Sequence, residues 1–203
     1  GRHGQTRWST YLGSVESSNY LGMGSTISIP LVADGTAFVL TNLGYLAAVD
    51  VVDGRIHWLQ AYGRLTDQGK VQSIRGRRRW QANPMLYRDG LLYMAPQDAD
   101  SLFCVDAQSG QLTWKFPRST HTTLLGFQAG NLILGGPSIR SLSIEGENRG
   151  EIVWTWEPPN TNLISLGRSS LLKDRVLVSD LNAMYTLDLK TGQELSVALW
   201  DFR

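Results

Sequence analysis

The chain has 203 residues, 42% of them hydrophobic and 18% charged, with a formal net charge of +1. That is enough apolar material for a sizeable core, and so small a charge supplies no field to recruit nucleic acid or an anionic membrane surface. A single cysteine, Cys104, excludes an internal disulfide and a cysteine-rich zinc site, and no apolar run approaches the roughly 20 residues that span a bilayer.

In chain order, the same short element returns. Gly4 precedes Trp8 by four residues in GRHGQTRW, and the same interval separates Gly54 from Trp58, Gly110 from Trp114 and Gly150 from Trp154. A degenerate copy, TLDLKTGQELS, has Gly192 in phase with Ser196 where Trp is expected. Four residues before these glycines stand Asp50, Asp106 and Asp188, with Gly146 as the exception. The glycines lie 50, 56, 40 and 42 residues apart, which is the length of a propeller blade.

A second mark precedes each element. Gly35, Gly90 and Gly130 sit in the turns ADG, RDG and QAG, with Asp174 of LKDR as the fourth. From mark to motif glycine the chain runs 19, 20, 20 and 18 residues, whereas from each Trp to the next mark it runs from 16 to 32. Three strands per unit are therefore held rigidly while one connection varies. The runs TAFVLT, LLYMA, NLILG and RVLVS after the marks are strand-like, and LAAVD, LFCVD and MYTLD lead into the next turn. Each unit is expected to be a four-stranded antiparallel meander, A to D, with the Trp on strand D. One meander cannot bury both faces, so neighbours must stack. The expected blades are residues 26–60, 81–117, 121–157 and 163–200, all within one propeller over 1–203, with residues 5–12 as strand D of a preceding or ring-closing blade.

The pattern D-x-x-[ST]-G-x-x-x-W after an x-D-G turn resembles the tryptophan-docking repeat of quinoprotein-like propellers. That family comprises pyrroloquinoline quinone dehydrogenases and non-enzymatic relatives, among them an outer-membrane assembly lipoprotein. The resemblance implies an all-β propeller in which Trp8, Trp58, Trp114 and Trp154 dock against adjacent blades. It also implies an extracytoplasmic setting, in the periplasm or cell envelope. Family rings commonly have seven or eight blades, so three arrangements stand open: a segment of a longer propeller, a closed four-bladed ring, or two chains completing one ring. The chain opens without Met, as a processed or excised polypeptide would.

Catalytic features are sparse. The family's enzymes hold quinone and Ca²⁺ beside an Asp base and an adjacent-cysteine disulfide; here Cys104 stands alone, in the strand position of Ala48 and Ile144, and reads as a small core residue. His3, His57 and His121 have no ligand spacing, and the glycines of LGMGS at 21–25 lack the Lys and helix of a phosphate loop. Asp98 and Asp100 could converge on a cation, although a solvated turn explains them as well. No cofactor is expected from these residues.

The connection at 61–82, AYGRLTDQGKVQSIRGRRRWQA, is the longest of the four. It carries Arg64, Lys70, Arg75, Arg77, Arg78 and Arg79, followed by Trp80. An Arg cluster beside a Trp on a rigid scaffold can grip a carboxylate-rich partner, a phosphate or an acidic glycan; the plain alternative is a solubilising loop that pairs with Asp67, Asp98 or Asp100. The reading is a non-catalytic scaffold that binds a protein partner, which could be the rest of its own propeller or a second copy. Two alternatives stand beside it: part of a quinone-dependent dehydrogenase whose catalytic residues lie outside this chain, and a glycan-binding propeller using Tyr11, Tyr20 and Trp80.

Overall fold

The computed structural model describes residues 4–13, 29–41, 43–64, 83–96, 98–117, 123–159 and 169–200. Every regular element among them is a strand, and the chain divides into two units, residues 1–117 and 118–203.

The first unit holds two meanders. β1 (Leu31–Ala33), β2 (Thr36–Leu40), β3 (Tyr45–Asp50) and β4 (Ile56–Ala61) pair in sequence order; β5 (Leu86–Arg88), β6 (Leu91–Met94), β7 (Ser101–Asp106) and β8 (Leu112–Pro117) do the same. The second unit repeats the plan. Its first blade is β9 (Thr123–Gln128), β10 (Asn131–Gly135), β11 (Ile139–Ser143) and β12 (Ile152–Trp156). Its second is β13 (Ser170–Leu171), β14 (Arg175–Ser179), β15 (Ala183–Asp188) and β16 (Glu194–Leu199). All pairings are antiparallel, and the chain is an all-β propeller built of four-stranded blades. Residues 4–13 pair with no strand among the described residues.

The first turn of three blades has one geometry. Asp34–Gly35, Asp89–Gly90 and Ala129–Gly130 each place both residues at positive φ, and the flanking register leaves a two-residue loop such as Ala33↔Thr36. This is the hairpin turn whose twist matches the strands, and Asp-Gly suits it because Asp tolerates the left-handed region. In the fourth blade Lys173–Asp174 turns without a positive φ, and Leu172 N–H donates to the Arg175 carbonyl at 2.8 Å.

The cores are aliphatic and aromatic rows trapped between stacked sheets. In the first unit Phe38, Leu46, Leu92, Met94, Phe103 and Val105 join one cluster, with half-buried Trp58 packed on it. In the second, Ile133, Ile139, Val176, Val178, Tyr185 and Leu187 form the counterpart, and the Trp156 and Tyr185 rings lie 5.1 Å apart.

Ala129 is the one residue of the three Asp/Ala–Gly turns with no polar side chain to favour a left-handed backbone (φ +44). Ala129→Asn is expected to stabilise the protein by up to about 1 kcal/mol. Chemical denaturation checks this, and an unchanged or lowered midpoint would count against the assigned turn.

Candidate functional site

The second turn of each blade, between strands C and D, concentrates the repeat's chemistry. In the first blade Asp50 N–H donates to the Arg55 carbonyl at 2.8 Å and Gly54 N–H to the Asp50 carbonyl at 3.0 Å. Asp50 Oδ1 accepts from the backbone of Val52 and Asp53 at 2.7 and 3.1 Å. Asp106 and Asp188 do the same and also accept from the hydroxyls of Ser109 and Thr191 at 2.7 and 2.8 Å. The Ser109 hydroxyl, then the Ser109 and Gln108 N–H groups, hold the Asp106 carboxyl below its ordinary range. Thr191, hydroxyl and then N–H, does so for Asp188, with Lys190 adding to it. Each carboxylate closes its own turn. His57 Nε2 adds a contact to Asp50 at 3.6 Å.

The third blade departs from the expected phase. Ser143 N–H donates to the Glu151 carbonyl at 2.9 Å, and Gly150 N–H donates to the Ser143 carbonyl at 2.8 Å. The marks settle the alignment: the carbonyls of Gly35, Gly90, Gly130 and Asp174 receive the N–H of Val51, Ala107, Ile144 and Leu189, at 3.1, 2.8, 3.1 and 3.0 Å. Ser143, not Gly146, therefore holds the Asp position, and the turn carries three extra residues. By the same register Cys104, opposite Trp114, corresponds to Ala48 and Ser141 and not to Ile144. Cys104 is fully buried.

The strand D tryptophans meet the following turn. A Cβ built on Gly110 would lie 2.7 Å from Trp58 Cε3, and one on Gly192 would lie 2.5 Å from Trp154 Cε3. A Cβ on Gly54 would lie 2.6 Å from Trp8, although residues 4–13 have no sheet of their own. Only glycine lets the indole approach this closely, and each of these glycines also sits at φ between +73 and +79. Trp8 Nε1 donates to the Val51 carbonyl and Trp58 Nε1 to the Ala107 carbonyl, both at 3.1 Å. Trp154 Nε1 is buried with no acceptor among the described residues. Trp114 stands opposite Cys104 with its ring edge-on to Tyr93 at 6.1 Å. Ser196, opposite Thr186, brings no ring, and β16 is exposed at all six positions.

Of the expected partner-binding set, Lys70, Arg75, Arg77, Arg78, Arg79 and Trp80 lie outside the described residues. Arg64 is described and is engaged: its Nε donates to Asp98 Oδ2 at 2.8 Å, with both side chains largely buried. For this residue the structure has the plainer alternative, local pairing with Asp98. The Tyr62 hydroxyl adds a contact to Asp98 Oδ1 at 3.0 Å, and Asp100 accepts from the Ser101 hydroxyl. Among the described residues no group of three His, Cys, Asp or Glu gathers as a metal site. The Tyr62–Asp98 contact had no signal in the sequence. Tyr11 is exposed at 75%, while Tyr20 lies outside the described residues.

Four-stranded meanders whose turn glycines Gly54, Gly110 and Gly192 seat the indoles of Trp8, Trp58 and Trp154 define a tryptophan-docked β-propeller. A family model described as outer membrane protein assembly factor BamB matches residues 64–198. The chain belongs to this family of PQQ-type repeat propellers. Among curated proteins it is 29% identical over 114 residues to the dehydrogenase subunit of a quinone alcohol dehydrogenase from Gluconacetobacter polyoxogenes, covering 54% of this chain and 14% of that protein. It is 27% identical over 95 residues to the assembly factor BamB of Moranella endobia (strain PCIT), covering 47% and 20%. The crystal structure of BamB from Moraxella catarrhalis superposes with a TM-score of 0.58 at 16% identity, over 82% of this chain and 50% of that one. The chain thus spans only a small part of the curated relatives it matches. The family holds both an assembly factor and dehydrogenase subunits.

Trp58→Ala is expected to destabilise by about 3–5 kcal/mol, as large aromatic truncations in a core do, and Gly110→Ala by about 1–3 kcal/mol from the strained φ and the blocked seat. Urea titration measures both; a Gly110→Ala protein as stable as the parent would mean that the ring does not sit there. The depressed carboxyls of Asp106 and Asp188 give a pH dependence of fixed sign. Their stabilisation is present above the unfolded carboxyl's pKa of about 4 and is lost as pH falls through the lower folded value. Asp106→Asn should therefore flatten the acid limb of the stability profile, and an acid limb as steep as the parent's would refute the capping role.

Proposed function

We propose that the chain is a non-catalytic propeller module of an extracytoplasmic or cell-envelope protein, and that it captures an acidic protein segment through the connection at 61–82. The observation that carries this reading is the family match over residues 64–198, to a model described as an assembly factor. The turn carboxylates Asp50, Asp106 and Asp188 support it, because each is committed to closing its own turn. The connection supports it through composition: six of the chain's 19 basic residues crowd into a segment that the blade does not need. Crowded like charges favour an acidic partner. The four blades are proposed to be consecutive blades of one propeller.

A second reading, part of a quinone-dependent dehydrogenase, is favoured by the 29% identity to a dehydrogenase subunit over 114 residues. On that reading the catalytic residues lie outside this chain.

Two measurements separate the readings. The triple variant Arg77→Glu, Arg78→Glu, Arg79→Glu should keep the parent's melting temperature while losing retention on immobilised poly-L-glutamate, and parental retention should fall as salt screens it. Undiminished retention by the variant would remove the connection from the binding surface. Titration with pyrroloquinoline quinone and Ca²⁺, followed by the fluorescence of the seven tryptophans, should give no saturable change. A stoichiometric endpoint would favour the dehydrogenase.

A further inference from the structure

We propose that Asp98 is the positioning residue of the basic connection, a buried carboxylate whose turn fastens the chain where it leaves one blade and where it enters the next. The inference rests on the reading of residues 61–82 as the partner-binding segment.

Asp98 lies in the turn between β6 and β7 and is 7% exposed. A carboxylate so placed is costly unless it is paired, and its partners come from the chain leaving β4. Arg64 Nε donates to Oδ2 at 2.8 Å. The Tyr62 hydroxyl lies 3.0 Å from Oδ1 and 3.1 Å from the Thr41 carbonyl, so its single proton serves one or the other. Tyr62 is itself held by its N–H on the Gly44 carbonyl at 3.0 Å, and its ring lies 6.0 Å from that of Phe103.

The guanidinium reaches Asp98 across the turn of the first blade. A Cβ on Gly44 would lie 2.5 Å from Arg64 Cδ, and Gly44 has φ +88. The turn thus leaves bare backbone where the arginine stem must pass. On the far side of the connection, Asn83 Nδ2 donates to the Ala95 carbonyl at 3.1 Å, three residues before Asp98. Both roots therefore attach to the turn at 95–100. Apart from the Tyr62 N–H, which continues the β3–β4 ladder, sheet pairing requires none of these bonds. The pairs Arg88–Asp89 and Arg175–Asp174, by contrast, join chain neighbours.

The clamp divides the basic residues by role. Arg64 holds the root; the other basic residues of the proposed binding segment, Lys70, Arg75, Arg77, Arg78 and Arg79, lie outside the described residues. Fixing the roots lowers the ordering entropy that binding must overcome.

The test compares the full chain with its Asp98→Ala variant in two assays. Limited trypsin digestion reads cleavage after Lys70, Arg75, Arg77, Arg78 and Arg79, and a poly-L-glutamate column reads binding. Asp98→Ala should speed cleavage in this segment about tenfold, since proteolysis follows local opening, and should weaken retention several-fold. Should it fail to fold, Asp98→Asn and Tyr62→Phe keep the shape of the site and should each raise cleavage about threefold. Unchanged cleavage in a folded variant overturns the proposal. If cleavage is unchanged while the Arg77–Arg79 reversal still abolishes retention, the binding reading stands and the positioning role falls. If cleavage rises but no variant, the reversal included, alters retention, the clamp is structural only and the binding reading falls.

Discussion

An indole ring lying on a glycine that has no room for a Cβ is the contact on which the blade repeat depends. Trp58 on Gly110 and Trp154 on Gly192 bring strand D of one blade against the C–D turn of the next, and Trp8, outside any described sheet, lies on Gly54 in the same way. The seat needs three things from one short turn. The glycine supplies left-handed φ and bare space, the aspartate closes the turn from inside, and the residue after the aspartate leaves its carbonyl for the indole N–H. Val51 and Ala107 fill that last role. Where a motif both seats one ring and supplies another, as the first-blade motif does with Gly54 and Trp58, its glycine and tryptophan cannot drift independently.

The same economy separates the two ends of a blade. At the end that carries the C–D turns, Asp50, Asp106 and Asp188 are each committed to closing their own turn. The opposite end carries the B–C turns and the connections between blades, where length is free. There the first unit departs from the plain repeat, with a buried Arg64–Asp98 pair and a tyrosine shared between two turns. On the proposed function, fold and binding would be carried by different residues, as in other scaffolds whose sites are grafted onto a common frame.

Much of the frame was legible in the sequence because its signals are local. Asp-Gly before an alternating run announced the first turns, and the four-residue step from Gly to Trp fixed the phase of strand D. The errors arose where counting replaced contact. Counting back four from Gly150 pointed to Gly146, yet the ladder ends at Ser143 because the turn is three residues longer. The same slip paired Cys104 with Ile144 in place of Ser141. The Tyr62–Asp98 contact joins residues 36 apart, and such a link depends on how neighbouring sheets stack. No local pattern marks it, and from sequence Asp98 stands as only one of three carboxylates, with Asp67 and Asp100, that the basic loop could pair with.

The clamp and the basic connection make physical sense together. A run of arginines repels itself, and a long insertion anchored only by strand ends would lose entropy on meeting any partner. Asp98 acts against both. It takes Arg64 out of the crowded set by pairing it at low exposure, and it moves the point from which the chain departs three residues beyond the end of β4. The burial that makes the pair expensive to form also makes it hard to break from one side, because removal of Arg64 would strand a carboxylate that is 7% exposed. An exposed pair would exchange readily with water and salt and could not hold a root in place. A buried one can, which is the reason to place the anchor inside the B–C turn.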